Sequence, residues 1–455
     1  MEHFNAFIIS LKDIIWGIPL MALLIGTGIY LTILLKGVQF RYLGYAFKQV
    51  FSARKKSAKG DISAFEALMT SIAGAIGTGS IVGVATAITV GGVGSIFWMW
   101  VTAFVGMATK YAESLLAVHY RVVDDRGEMI GGPMQYIEKG LGWKWLALLF
   151  AFFGALAAIS TGNLVQANAI TETVVNVWKT DPYITGLVLS ALTGLVVVGG
   201  VKSIGHVAGV LVPIMALFYL VAGLFILALN ITEIPAAFWH IVQSAFTGQA
   251  AVGGFAGAAV MMAIQQGVAR SLFSNEAGMG ISSIAAAAAI TDSPGRQAMI
   301  TMTGALISTV IVCSITGFVL AVTQVQGALD INGVPLNGAH MAIEAFSRSI
   351  SGGEFIVSIG LILFAFSTVI AWAYYGEKCC EYLLGTRSIY PYRLLFTLLV
   401  IPGATIKMDL AWHIADIMNG LMAIPNLIAL LALSKVIVTQ TNKFLVQVKE
   451  EEAQG

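Results

Sequence analysis

The sequence is short of charge. Only 11% of its 455 residues are Asp, Glu, Lys or Arg, while 58% are hydrophobic. About a quarter of a soluble domain is charged, and a chain this apolar could not cover a water-facing surface with polar groups. That excludes a soluble protein and leaves an all-α polytopic membrane protein. Basic and acidic residues nearly cancel, 25 against 24, which leaves nucleic-acid binding without electrostatic support. Cysteine is scarce as well. Of the three, Cys313 sits in an apolar run, and Cys379 and Cys380 are adjacent, poor geometry for a mutual disulfide. All three read as packing residues. The phosphate loop G-x-x-x-x-G-K-[ST] is missing, which argues against ATP drive. The six histidines are scattered without metal spacing, and no nucleophile–base set is recognisable, so an enzyme is not expected. The N-terminus carries Glu2 and Asp13 and no basic cluster before its first apolar run, which argues against a cleaved signal peptide.

What is there is apolar sequence in membrane lengths. A spanning helix needs ~20 apolar residues. About eleven such stretches begin near Ile14, Ala64, Gly94, Trp145, Ile184, Val207, Val252, Met299, Phe355, Leu394 and Ile414. After the first comes KGVQFRYLGYAFKQVFSARKKSAKG, with Lys36, Arg41, Lys48, Arg54, Lys55, Lys56 and Lys59 and no acid. Positive charge marks the cytoplasmic side. The N-terminus is then expected outside, and the tail LVQVKEEEAQG inside and frayed.

The stretch AGAIGTGS, residues 73–80, puts three glycines into the second apolar run. From Asp61 to Val90 one straight helix would be ~45 Å long against a hydrocarbon core of ~30 Å. Each glycine costs ~1 kcal/mol of helix propensity against alanine, so unwinding there is cheap. Freed backbone groups at membrane depth are tolerated where they line a cavity or bind something. Close helix packing is the competing reading, since Gly79 and Gly83 have small-xxx-small spacing. A second interruption, SLFSNEAGMG at 271–280, places Asn275 and Glu276 mid-span, followed by Gly278 and Gly280. An ionisable residue at depth suggests function. Glu276 pairing with Arg270 or a cytoplasmic group is the structural alternative. Two interrupted helices at corresponding places in two halves point to an inverted-repeat transporter. The expected organisation is an extra helix and basic segment at 1–60, a five-helix repeat at 61–230, a connection at 231–249, a second repeat at 250–436 and a tail at 437–455.

The segment GGVGSIFWMWVTAFVGMATKYAE, residues 91–113, resembles the signature of the alanine-or-glycine:cation symporter family. GDISAFEALMTSIAG, VDDRGEMIGGPMQYIEKGLG, SNEAGMG, DSPGRQA, YYGEKCCEYLLGT and IADIMNGLMAIPNLIAL extend the likeness over the whole chain. The resemblance implies a LeuT-like fold of ten core helices, a five-plus-five inverted repeat with two broken helices, preceded here by one extra helix. It implies Na⁺-driven uptake of small neutral amino acids in a cell membrane, with Na⁺ as coupling ion; no other cofactor is expected and no obligate protein partner is evident in the sequence. Glutamine as substrate, or H⁺ as coupling ion, would keep the same fold. A channel would need a filter repeat, and none is visible.

An amino-acid carboxylate needs N–H donors, which helix breaks supply. That assigns the backbone of Thr78 and Gly79, and the resemblance adds the Gln166 amide. Carbonyls near Ala73 to Ala75 and at Phe273, with the Asn275 side chain, are placed around the ammonium, and Gly278 joins the substrate-binding residues. Ile72, Phe273 and Trp372 are candidates to wall a small pocket. For Na⁺, neutral carbonyls and hydroxyls suffice. The resemblance implies Ser367 and Thr368 facing the carbonyls of Ala73 and Ile76. The chain departs from the family at Ser80, where asparagine is usual, and this leaves a second, substrate-adjacent Na⁺ open.

Overall fold

A computed structural model describes all residues except 1, 53–58, 248–255, 330–332, 407 and 455. Arg54, Lys55 and Lys56 of the basic segment, and the expected start of the seventh span near Val252, lie outside the described residues. Among the described residues the chain is helical, with one two-stranded antiparallel pair, Val122–Val123 against Met129–Ile130.

The chain begins with α1 (Glu2–Ile15) and α2 (Ile18–Leu34), then two short helices, α3 (Val38–Arg41) and α4 (Leu43–Val50). The second apolar run is two helices, α5 (Ala64–Ala75) and α6 (Val82–Gly91). Ser63 and Glu66 start α5 with a reciprocal capping box, which satisfies two otherwise unpaired N–H groups. At 1.5 Å per residue each half is ~15–18 Å long, about half a bilayer. Next come α7 (Ser95–His119), α8 (Pro133–Leu141), α9 (Lys144–Ala157), α10 (Val165–Trp178), α11 (Pro182–Val197), α12 (Gly200–Leu229) and α13 (Ile234–Thr247). The later part runs through α14 (Ala256–Asn275), the short α15 (Ser283–Ala287), α16 (Pro294–Ala305), α17 (Ser314–Val322) and α18 (Gly338–Ser349). It ends with α19 (Gly353–Leu384), α20 (Ile389–Thr405), α21 (Met408–Ala432) and α22 (Ser434–Gln454). Two joints are π-helical: residues Ala158–Leu164 between α9 and α10, and Leu306–Cys313 between α16 and α17.

Among the described residues, six helical stretches are long and apolar enough to cross a membrane, counting α1–α2, α9–α10 and α16–α17 as continuous. The shorter apolar helices include α5, α6 and α11. A broken run such as α5–α6 gives two halves that each fall short of that length. Outward faces of α11 and α12 are apolar, with Leu195 78% and Leu217 65% exposed, as lipid contact requires.

One expectation is corrected. The end of the chain is not frayed: residues 434–454 form α22. Thr441, Phe444 and Val448 recur at three and four residues and are buried, and Thr441 accepts a hydrogen bond from Tyr111 on α7, 3.1 Å. Arg296 at the start of α16 ties it down, with contacts to Glu451, to Tyr45 Oη (2.8 Å), to Gln49 Oε1 (3.0 Å) and to Asp292 (2.8 Å).

Candidate functional site

The first break runs from Ile76 to Ile81 and contains one 3₁₀ turn, Thr78–Ser80. Ending α5 frees its last carbonyls, and one face of α19 collects them. Thr368, Trp372 and Tyr375 are spaced i, i+4, i+7 and therefore point the same way. Thr368 Oγ1 donates to Ala73 O at 2.8 Å, the Trp372 indole N–H to Gly74 O at 3.2 Å, and Tyr375 Oη to Thr70 O at 3.2 Å. Ser367 Oγ reaches the same Ala73 oxygen at 3.5 Å and Phe364 O at 2.8 Å. Two hydroxyls and a carbonyl thus converge on a buried point without a formal charge. Ile76, the remaining residue expected there, caps α5, with its N–H on Ile72 O at 2.7 Å.

Glycine at 77 is required by space. A β-carbon there would overlap Thr368 Oγ1 and lie 3.1 Å from Gln166 Oε1. At Gly79 it would meet Phe273 at 2.7 Å. Gln166 is fully buried; its Oε1 accepts from Thr78 N–H at 3.2 Å and its Nε2 donates to Thr161 O at 3.1 Å. The Thr78 amide, expected to face a carboxylate, is therefore held by Gln166. The side-chain oxygens of Ser71 and Thr78 are buried with no hydrogen-bond partner in the protein, and the Ser80 hydroxyl lies at the Cys313 thiol, so the break presents a polar surface. Beside Ser80, Thr316 Oγ1 donates to Ser80 O (2.9 Å), and Ser274 contacts Thr309 (3.2 Å) and Cys313 (2.9 Å). That cluster stands where the departure from the family asparagine occurs.

The second break follows Asn275. Glu276, Gly278 and Gly280 have positive φ, +57°, +91° and +75°, which glycine adopts freely and glutamate does not. The Asn275 side chain turns to its own segment: Oδ1 accepts from Ala277 N–H (2.9 Å) and Nδ2 donates to Ser271 (3.0 Å). Gly278 N–H donates to Glu113 Oε1 at 2.8 Å. Arg270 pairs with Asp416, 3.4 Å away, and not with Glu276. The Phe273 ring lies against Trp412, centroids 4.8 Å apart, with the Arg270 guanidinium 5.1 Å over Trp412. Arg270, Trp412 and Asp416 line a cavity of about 480 Å³ that also takes in Val82, Glu172 and His340. Trp372 presses on Gly162, where no β-carbon would fit. Ile72 lies beside Gly304 on α16, and Ala75 is buried in the last turn of α5.

The opposite, basic face is closed by backbone and charge. Residues Lys59 and Ile62 bridge to Thr291 and Ala289. The Arg121 guanidinium donates to the carbonyls of Ala287, Ala289 and Lys59 at 2.8–2.9 Å. Asp61 accepts from Met129 N–H at 2.7 Å; burial pushes its carboxyl above the ordinary range, and that bond offsets the shift only in part. Lys378 Nζ, fully buried, bonds Glu128 (2.8 Å) and Glu381 (2.9 Å), and Arg393 grips Glu377 with two bonds of 2.6 and 3.0 Å.

Sequence reasoning missed Lys110, Glu113, Tyr375 and Trp412 as members of this region. Lys110 and Glu113, two opposite charges three residues apart in an apolar helix, were the available signal. Trp412 had none, because only the fold brings it to Phe273.

A model of the sodium:alanine symporter family matches residues 1–455. The sodium/alanine symporter AgcS of Methanococcus maripaludis is 50% identical over 457 residues, 99% of each chain. The probable sodium/glutamine symporter GlnT of Bacillus subtilis is 37% identical, covering 96% of this chain and 90% of its own. Among solved structures, MhsT in complex with L-phenylalanine superposes with a TM-score of 0.62 over 84% of this chain and 93% of its own, at 14% identity. At that identity the likeness speaks to the fold, which is the LeuT-like one.

Proposed function

The chain belongs to the sodium:alanine symporter family, and from that premise we propose that it imports small neutral amino acids, alanine and glycine, with Na⁺ by alternating access. One observation carries the reading. The Ala73 carbonyl, released by a helix break, faces the hydroxyls of Thr368 and Ser367. Na⁺ takes hard, neutral oxygens, and this point offers them where no cluster of His, Cys, Asp or Glu occurs among the described residues. Na⁺ bound there joins α5 to α19. The amino acid lies at the break itself, its carboxylate toward Thr78, Gly79 and Gln166 and its ammonium toward carbonyls at Ala75 and Phe273. Gly79 packs closely against Phe273 and Gly162 against Trp372, so both rings stand tight at the break, which favours alanine over glutamine.

We infer eleven crossings, α5–α6 and α14–α15 each making one broken span, arranged as two inverted five-helix repeats after α2. The basic face is cytoplasmic by its charge. The cavity at Trp412 and Asp416 is then on the outer side, and Phe273 with Trp412 stands between it and the break. Substrate permits rocking about the site toward the cytoplasm.

Radiolabelled alanine uptake into proteoliposomes tests this, with and without an inward Na⁺ gradient, with glycine, serine, D-alanine and glutamine as competitors. Gradient-dependent alanine uptake is expected. Uptake driven only by a proton gradient, or of glutamine alone, would overturn the ion or the substrate.

A further inference from the structure

Ionisable groups buried at the second break take no part in the site above. Lys110 and Glu113, three residues apart on α7, face the same way. Lys110 Nζ donates to Asn275 O at 2.8 Å, at the carbonyl end of α14. Glu113 Oε1 accepts from Gly278 N–H (2.8 Å), Gly280 N–H (3.1 Å) and Asn426 Nδ2 (2.7 Å). A cation at a helix carbonyl end and an anion at freed amides are what the backbone dipoles favour. Each has hydrogen-bonding partners, and the Lys110 ammonium is shared, because it also faces Glu276.

Glu276 is different. It is 1% exposed, its backbone is held at φ +57°, and neither carboxyl oxygen has a well-formed hydrogen bond, the one donor acting on it being the Trp372 indole N–H that also serves Gly74 O. Its Oε1 lies against the first break, 3.1 Å from where a β-carbon on Gly74 would sit. The charged group facing it is Lys110 of α7, which also acts on Glu113. From α19 comes Tyr375, already donating to Thr70 O, and Trp372, already donating to Gly74 O. From α5 comes Gly74, uncharged. Tyr136 of α8 and Asn426 of α21 bond each other and reach Glu113, not Glu276. One ammonium facing two carboxyl groups leaves a net negative charge if both ionise, which is strongly disfavoured at this depth. A metal ion does not suit the spot, since Na⁺ needs several oxygens and the neighbours are a phenol, an indole N–H and an ammonium. A proton needs one.

We propose that Glu276 is a proton site linked to amino-acid binding, neutral in the empty protein and ionised when substrate and Na⁺ are bound. The inference rests on the symport reading. Both arriving species bring positive charge to carbonyls at Ala73, Ala75 and Phe273, beside Gly74 and Glu276, in a medium where charges act strongly. The O–H bond breaks, the carboxylate keeps the electron pair, and the proton passes to water. By linkage, acid then weakens alanine affinity, by up to about tenfold per pH unit for one proton exchanged.

The test is isothermal titration of full-length purified protein with alanine in saturating Na⁺, in buffers of different ionisation enthalpy, from mildly acidic to mildly alkaline pH. The wild type is expected to release up to about one proton per alanine bound. Glu276→Gln is expected to bind without release and with a flat pH profile, and Lys110→Met to move the pH of half-release. Binding by the wild type with no proton exchanged at any pH overturns the proposal even if neither variant folds. So does release that persists in Glu276→Gln. Absence of alanine binding altogether overturns the symport reading and takes this inference with it.

Discussion

Replacing Thr368 by alanine removes one oxygen from the proposed cation site and separates binding from packing. Thr368 Oγ1 stands 2.8 Å from Ala73 O and 3.1 Å from Phe364 O. In the folded protein the loss is one buried neutral hydrogen bond, about 1 kcal/mol. For a bound ion the loss is a dipole pointed at a full charge, about 1.5–3 kcal/mol. That raises the half-saturating Na⁺ concentration about 10- to 150-fold. Ser367 compensates poorly, because its oxygen lies 3.5 Å from Ala73 O and is engaged with Phe364 O at 2.8 Å. Thr368→Ser keeps the oxygen and should stay within a few-fold of wild type. The assay is alanine uptake by proteoliposomes against external Na⁺, alongside a melting temperature for each variant in detergent. Wild-type Na⁺ activation in Thr368→Ala, with only a lowered melting temperature, would refute the reasoning. It would leave the hydroxyl as a back-bond to its own helix.

Gly77→Ala should lower uptake about tenfold or more through overpacking, because the new methyl overlaps Thr368 Oγ1; its φ of −113° suits alanine, so wild-type uptake would show that the neighbours can give way. Asp61 has a raised folded pKa from burial, so the fold holds its proton more tightly than the unfolded chain does, and stability should rise as pH falls through that folded value. Asp61→Asn keeps an acceptor for Met129 and should remove this slope, with an equal or higher melting temperature at neutral pH; parallel melting curves against pH would contradict it. Arg296→Ala should release Glu451 of α22 from α16, leaving it the Tyr45 hydroxyl, and speed tryptic cleavage at Lys443 or Lys449 about tenfold, on a loss of ~1–2 kcal/mol; an unchanged cleavage rate would show that Phe444 and Val448 hold the helix without Arg296.

Both breaks were legible because glycine clusters in a membrane-length run have few explanations. The structure unwinds at Ile76–Ile81 and just after Asn275. Alignment of Thr368 with Trp372 and Tyr375 follows from helix period alone. Partner choice was not legible. Thr78 N–H goes to a side chain 88 residues away, and Gly278 N–H to one 165 away; no local pattern encodes such pairs. Asn275 is polar at mid-span, which singles it out in the sequence; its local bonds to Ala277 and Ser271 follow from the way asparagine competes for nearby backbone. The end of the chain misled through its acids. The run KEEE draws attention, while the spacing of Thr441, Phe444 and Val448 carried the helix.

The two π-helical joints have a consequence for how the site could come apart. A π turn stores an extra residue within an otherwise α-helical ladder. Returning it to α geometry advances everything downstream by ~1.5 Å and turns it by ~100°. Immediately downstream of Ala158–Leu164 lies Gln166, which holds Thr78 N–H; just downstream of Leu306–Cys313 lies Thr316, which holds Ser80 O. The two side chains gripping the first break are therefore mounted on helices with slack wound into them. Either can be swung off the break by paying out one residue, like a ratchet released by a single tooth, with the helix on both sides left intact.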